Sequence, residues 1–463
     1  MLPETARLTA LVLVAALLAP LATLAPTAGA SEAPAFVVVA VVDTGINPYH
    51  ADFSAATYPD LAVLEASGGF TKDPATWLPG YPGGVARLDL SLGAPSYAAA
   101  KAADKAVFDA IPMKSLRWIP GTKIIGVYDA DNAAPLNAEA DATHVLDDDG
   151  HGTLSASVGV GNQFGSCPRC LLVVVEGFSG LAWAASQPWI DVISNSWGSV
   201  GNLPTEIGEG TPEVTRAFAE RGGTVLFAAG NGVENGYVVP ESTWFSEKTG
   251  PGWVVTVGAF NRPAENVRVP VLGTGRPVHL LAQGVGVPGA DPFHKTNAAT
   301  HSGTSAATPI AAGVFGATLG AARDALDDAR PGPRKVGPLR VAASGAPVPG
   351  SPALEDGLLS RAELAETVFL AARATNHGSL TFSPLSFPMM AAAARPLGEG
   401  WGWVGRETVA DAVAILLGHA PHPAKPEARS FFMDDAFIRD ARWGAWDKDG
   451  NGSRERALPS GLP

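Results

Sequence analysis

Residues 36–45 read Phe-Val-Val-Val-Ala-Val-Val-Asp-Thr-Gly. From Phe36 to Val42 the run is apolar without interruption. A strand with one wet face alternates polar and apolar residues, whereas a strand covered on both faces does not. The run therefore predicts a strand buried within a parallel sheet, with Asp43 at its carboxyl end. Working outward, similar runs occur at Lys123–Tyr128, Leu171–Val175, Ile190–Ser194, Gly223–Ala228 and Trp253–Ala259. Between them lie stretches of helical length, among them Thr153–Val160, Thr211–Arg221 and Ala306–Ala325. This alternation predicts an α/β fold: a mostly parallel twisted sheet with helices on both faces. Leu358–Ala374 and Arg406–Leu417 add two more predicted helices. No internal repeat is visible.

Two stretches read as insertions or linkers. Residues 51–122 are irregular and rich in Pro, Gly and Ala, and residues 329–353 are dense in Pro and Gly. The expected organisation is a leader at 1–30, a main domain at 31–420 carrying insertions at about 51–122 and 329–353, and a tail at 421–463.

Hydrophobic residues make up 46% of the 463 and charged residues 17%, a globular balance. The formal charge is −13, which disfavours nucleic acid and anionic lipid as partners. Residues 8–25 form an apolar stretch interrupted by Pro20, followed by the small-residue pattern Ala28-Gly29-Ala30. This predicts a secretory signal cut after Ala30, not a retained anchor, and hence a location outside the cell or on the exterior of its envelope. No later run is expected to span a bilayer; the apolar stretch 409–420 is short and carries Asp411.

Cys167 and Cys170 are the only cysteines. Zinc would need further ligands, and no second Cys-x-x-Cys accompanies them. A redox pair should open a helix, whereas this pair precedes the strand-like 171–176. Export into oxidising surroundings favours a local disulfide, which stabilises little because its loop is short.

Three motifs carry chemistry. Asp43-Thr44-Gly45 places a carboxylate at a strand end, Asp149-Gly150-His151-Gly152-Thr153 places a histidine at a helix start, and Ser302-Gly303-Thr304-Ser305 places a serine at the mouth of a long helix. A serine hydroxyl attacks well only when a base takes its proton. Histidine can take that proton and return it to a leaving amine, and a buried carboxylate fixes the imidazole tautomer. Ala228-Ala229-Gly230-Asn231-Gly232 supplies an amide, Asn231, able to donate to a developing oxyanion, with the Ser305 N–H as second donor. The lipase-type Gly-x-Ser-x-Gly elbow and the metalloprotease His-Glu-x-x-His are both absent from the sequence.

In the order Asp, His, Ser, these motifs resemble those of the subtilisin-like serine peptidases. The resemblance covers most of residues 36–418 and implies a secreted serine endopeptidase acting through an acyl-enzyme, with Asp43, His151 and Ser305 as triad and Asn231 in the oxyanion hole. It also implies that Ser196, Trp197 and Gly198 bind the peptide as an added strand, with Ala229 and Gly230 in the pocket wall. Polypeptide substrates and a monomer are expected. The implied chemistry requires no cofactor. The acidic stretch Asp129, Asp131, Glu139, Asp141, Asp147, Asp148 and Asp149 could hold a structural calcium, but is read first as a solvated loop. Asp447–Gly452 resembles the start of an EF-hand, but Leu458 stands where the loop needs a bidentate Glu.

The chain departs from the family in several places. Asp43 and His151 are 108 residues apart, more than in compact members. Leu154 and Ala306 stand where the family often has histidine and methionine. Only 12 residues separate Ser31 from Asp43, so a full-size inhibitory pro-segment is not expected there. The competing reading is a catalytically inactive binding module on the same scaffold.

Overall fold

The computed structural model describes residues 36–55, 73–78, 80–130, 145–198, 211–231, 254–264, 267–272, 278–325, 354, 359, 361–373 and 402–419. All lie in the compact unit Ala33–Pro463. The leader, the whole 329–353 linker and the 421–463 tail with its EF-hand-like segment lie outside the described residues.

Ten strands form one sheet. They are β1 (Val38–Asp43), β2 (Ala86–Arg87), β3 (Leu116–Trp118), β4 (Ile124–Asp129), β5 (Leu171–Glu176), β6 (Val192–Asn195), β7 (Thr224–Ala228), β8 (Val254–Ala264), β9 (Val267–Leu272) and β10 (Leu280–Gln283). Their order is β10-β8-β7-β6-β1-β5-β4-β3-β2, with β9 on β8. Every pairing is parallel except β3–β4 and β8–β9. A small separate pair, β11 (Val287–Ala290) and β12 (Ala298–His301), is antiparallel. The helices are α1 (Pro74–Trp77), α2 (Tyr97–Asp109), α3 (His151–Val160), α4 (Gly180–Ser186), α5 (Thr211–Glu220), α6 (Thr304–Ala325), α7 (Arg361–Ala371) and α8 (Val409–Leu416).

Strand β1 is central and explains its own composition. Val37, Val39 and Val41 face one core with Ala311, Val314 and Phe315 of α6 and Ala156 of α3. Phe36, Val38, Ala40 and Val42 face the other, with Leu181 and Ala184 of α4 and Phe218 of α5. Both faces are dry, so neither parity of the strand tolerates a polar residue. Each fully buried valine contributes about 1.5–3 kcal/mol.

Helix α6 runs beneath the sheet as the main core helix. It is long and apolar enough to cross a membrane by composition, contrary to the expectation that no later run is, but 83% of its apolar window is buried inside the fold. Its last turn is tied down by Arg323. That guanidinium donates to both oxygens of Asp191 (3.0 and 2.7 Å) and to the Phe36 carbonyl (2.7 Å), while Asp191 also accepts the Val38 N–H (2.9 Å).

Helices α3 and α6 touch at their backbones. A Cβ on Gly313 would lie 2.4 Å from the Gly159 carbonyl oxygen, so only glycine fits there. Next to this contact, Cys167 and Cys170 form a disulfide at the entrance to β5. Both cysteines are buried.

By sequence, 51–122 is irregular. In the structure it contains α2, capped by Ser96 accepting the Ala99 N–H (3.2 Å), and the edge strands β2 and β3. Near the end of the domain, Trp403 pairs with Arg373 through reciprocal backbone bonds, and Val404 donates to Leu281 on β10.

Candidate active site

The carboxyl ends of β1, β6 and β7 lie side by side, since Val42 is in register with Asn195 and Asn195 with Phe227. Asp43 ends β1, Ser196 follows β6, and Ala229–Asn231 follow β7. The sheet topology thus gathers residues far apart in sequence at one edge, where open α/β sheets bind ligands.

Asp43 and His151 meet directly. His151 Nδ1 lies 2.6 Å from Asp43 Oδ1, and the same oxygen accepts the Thr44 N–H (2.9 Å). Asp43 is buried, while the His151 side chain is 31% exposed. Burial pushes the Asp43 pKa up, but the His151 charge and hydrogen bond outweigh it, and the net direction is down. Burial pulls the His151 pKa down, but the Asp43 charge and hydrogen bond, helped by Asp149 and Asp147, raise it to about 9. The Asp43 contact favours the proton on Nδ1, so that in its neutral form His151 has Nε2 free to accept one.

The motif residues around this pair each have a mechanical reason. Gly152 packs its backbone on the aspartate turn: a Cβ there would lie 2.4 Å from the Gly45 carbonyl oxygen. Gly45 has φ of +119°, a conformation that favours glycine. The Gly152 N–H donates to Thr44 Oγ1 (2.9 Å), and Thr153 Oγ1 accepts the Asn47 N–H (2.9 Å).

Ser305 lies in the first turn of α6, almost completely buried. Its Oγ donates to the Ser196 carbonyl (2.9 Å), and no hydrogen bond joins it to His151 among the described residues. In return, Ser196 Oγ donates to the Ser305 carbonyl (2.9 Å). That carbonyl would normally accept the N–H four residues on, but the residue there is Pro309, which has none.

Asn231 is exposed, and its Oδ1 accepts both the Thr304 N–H (2.7 Å) and Thr304 Oγ1 (2.9 Å). With Oδ1 engaged by Thr304, Nδ2 is the side-chain atom left to donate. Thr304 Oγ1 also accepts the Gly230 N–H (3.1 Å), which locks the β7 loop to the mouth of α6.

Trp197 is buried, stacked on Phe178 (4.7 Å between centroids) and edge-on to Phe227 (5.2 Å), so its ring is a core group. Ala229 is buried, Gly230 half-buried and Gly198 exposed.

Two residues at this edge carry no motif signal. His301 sits on the strand leading to Ser305, with its ring edge-on to His151 at 5.0 Å between centroids and Nε2 at 3.2 Å from Ser155 Oγ. Burial and the neighbouring His151 pull its pKa down to about 4, against Asp43 and the Ser305 backbone, so the ring is neutral at pH 7. Asp147 is the other. The solvated-loop reading of the acidic stretch fails for it and for Asp129, both buried, and holds for Asp148 and Asp149, both exposed. Asp131, Glu139 and Asp141 lie outside the described residues. Among the described residues no group of three or more His, Cys, Asp or Glu side chains is arranged to hold a metal.

A model of the subtilase family matches residues 35–330. No curated protein matches the chain. Among solved structures, the prenylagaramide maturation protease PagA aligns over 81% of this chain and 94% of its own, at 15% identity and a TM-score of 0.41. A serine-to-alanine mutant of the PatA protease domain aligns over 83% and 98%, at 16% and 0.40. A cold adapted subtilisin-like serine proteinase aligns over 61% and 76%, at 20% and 0.35.

Proposed function

This chain belongs to the subtilase family of serine peptidases, and on that premise we propose that it is a secreted serine endopeptidase acting on polypeptides through an acyl-enzyme. In this reading Ser305 is the nucleophile, His151 the general base and then acid, and Asp43 the group that orients His151. The observation that carries it is the 2.6 Å contact of buried Asp43 with His151 Nδ1, at the sheet edge that also holds Ser305.

His151 Nε2 takes the Ser305 proton as the hydroxyl attacks the scissile carbonyl, and then delivers it to the leaving amine. For this, the Ser305 hydroxyl must turn away from the Ser196 carbonyl toward the imidazole. Asn231 Nδ2 and the Ser305 N–H at the mouth of α6 stabilise the oxyanion. The exposed Gly198 backbone after β6 offers edge pairing to an extended peptide, with Ala229 and Gly230 opposite.

Residues 8–30 support export, and a monomer is the working assembly. Neither structural calcium nor any cofactor has a part in the steps above. The test is labelling with a fluorophosphonate, followed by peptide mass mapping and casein hydrolysis by the wild type, Ser305→Ala and His151→Ala. Adduct on Ser305 and loss of most hydrolysis in both variants are expected. A wild type that neither labels nor hydrolyses casein would leave the inactive binding module as the better reading. N-terminal sequencing of secreted protein should begin at Ser31; an intact Met1 terminus in membranes would contradict export.

A further inference from the structure

We propose that Asp147 is a positioning residue, a second buried carboxylate that clamps the turn carrying Asp43 to the first turn of the helix carrying His151. This rests on the peptidase reading of the site.

Segment 145–147 runs beside the aspartate turn: Ile46 donates to the Val145 carbonyl (3.1 Å), and Asp147 donates to the Ile46 carbonyl (3.2 Å). The Asp147 side chain then reaches both partners. Its Oδ1 accepts Thr44 Oγ1 (2.9 Å) and the Gly150 N–H (2.7 Å), and its Oδ2 accepts the Thr153 N–H (2.6 Å). Asp147 is completely buried.

A simple helix cap would need only the Gly150 and Thr153 amides. The Thr44 bond is different in kind. Thr44 gives its N–H to Asp43 Oδ1 and its hydroxyl to Asp147, and its hydroxyl oxygen accepts from Gly152, next to His151. Thr44 is thereby held from three directions, and the orientation of Asp43 toward His151 is set through it. Burial raises the Asp147 pKa, and the bonds from Thr153, Gly150 and Thr44 pull against that; all three side-chain contacts are donors, the set an ionised carboxylate accepts.

His151 is faced by Asp43 from β1, Asp149 and Asp147 from its own approach loop, and His301 from β12. Asp147 is faced in addition by Tyr97 of α2, whose hydroxyl pKa it helps to raise. Removing the Asp147 charge should therefore lower the His151 pKa as well as loosen its contact.

The test compares Asp147→Asn with Asp148→Asn, an exposed neighbour paired with Lys101. The amide of Asp147→Asn brings a donor against donors. Its kcat should fall on the order of tenfold to a hundredfold with KM changed less than about twofold, as expected for a misplaced catalytic group. NMR titration in a Ser305→Ala background should show the His151 pKa falling in Asp147→Asn and unmoved in Asp148→Asn. Lowered melting temperature with kcat and the His151 pKa both unchanged would reduce Asp147 to a helix cap and overturn the proposal. If Asp147→Asn does not fold, Thr44→Val removes the Asp147–Thr44 bond together with the acceptor of the Gly152 N–H, the two hydroxyl contacts that join the turn to the helix, and must shift the same two readouts; no shift overturns the proposal. The titration also separates the two readings. A His151 shift in a protein with no wild-type peptidase activity would sink the peptidase reading and leave the clamp standing.

Discussion

Ser196 and Ser305 exchange hydrogen bonds: each hydroxyl donates to the carbonyl of the other at 2.9 Å. One of these bonds repairs a defect. Pro309 leaves the Ser305 carbonyl without its helical donor, and Ser196 Oγ supplies one. Ser196→Ala should therefore strand a buried carbonyl and cost about 1–3 kcal/mol, read from urea unfolding of an inactive Ser305→Ala background. An unchanged midpoint would show that the carbonyl is satisfied by another route.

Asn231 has two duties that substitution can separate. Its Oδ1 caps the mouth of α6, and its Nδ2 is the amide donor left over for an oxyanion in the proposed mechanism. Asn231→Ala loses both. Turnover should fall about 10²–10³-fold, a figure that itself comes from a subtilisin, and the lost cap should cost about 0.5–2 kcal/mol. Asn231→Asp keeps an acceptor for Thr304 but has no amide donor, so it should lose turnover while retaining more stability. A KM effect with intact kcat in either variant would contradict the oxyanion role.

The pH profile follows from the Asp43–His151 pair. In the proposed mechanism only neutral His151 can take the Ser305 proton, and its pKa is raised to about 9. Activity should thus rise with pH toward that value and fall away on the acid side. Asp43→Asn removes the main raising influence, so the residual activity should have its acid limb at lower pH. For folding the sign is opposite: the stabilisation from His151 is full below about 6.5 and lost as pH climbs through about 9, while that from Asp43, whose pKa is lowered, is present above the ordinary carboxylate range and lost on strong acidification. Initial rates across pH on a fixed peptide, with melting scans alongside, check both signs.

The Asp191–Arg323 pair makes a contrasting prediction. It lies at the far end of α6, about 27 Å along the helix axis from Ser305. Asp191→Asn leaves a buried guanidinium poorly matched and should cost up to about 3–5 kcal/mol. Turnover per folded molecule, counted by active-site titration, should stay at the wild-type level. A large fall in that turnover would mean that strain travels along α6.

The sheet was legible because its central strands are dry on both faces, which leaves an uninterrupted apolar signature at 36–42 and 171–175. The helix 97–109 was less legible, since its Ser96 cap and alanine run sit within Pro- and Gly-rich neighbours. At the site, Asp43, His151, Ser305 and Asn231 announce themselves through flanking glycines and hydroxyls required by close backbone contact. Asp147 does not, because a string of aspartates looks alike until burial distinguishes one of them. His301 is hidden for a similar reason: a lone histidine on a short strand gives no sign that it will rest against His151. Trp197, expected beside the peptide, has an indole whose best-packed place is between Phe178 and Phe227.

The contact of Gly159 with Gly313 acts as a hard stop between the two helices that carry His151 and Ser305. Most enzymes space such groups with side chains, which have rotamers and some give. Here the spacer is a carbonyl against a Cα hydrogen, and it has no softer mode to absorb error. One added methyl at Gly313 would act as a wedge of fixed thickness, 2.4 Å from the Gly159 carbonyl oxygen, and would push apart the helices whose first turns hold His151 and Ser305. The tolerance of this site is therefore set by the width of a peptide bond, well away from any atom that touches substrate.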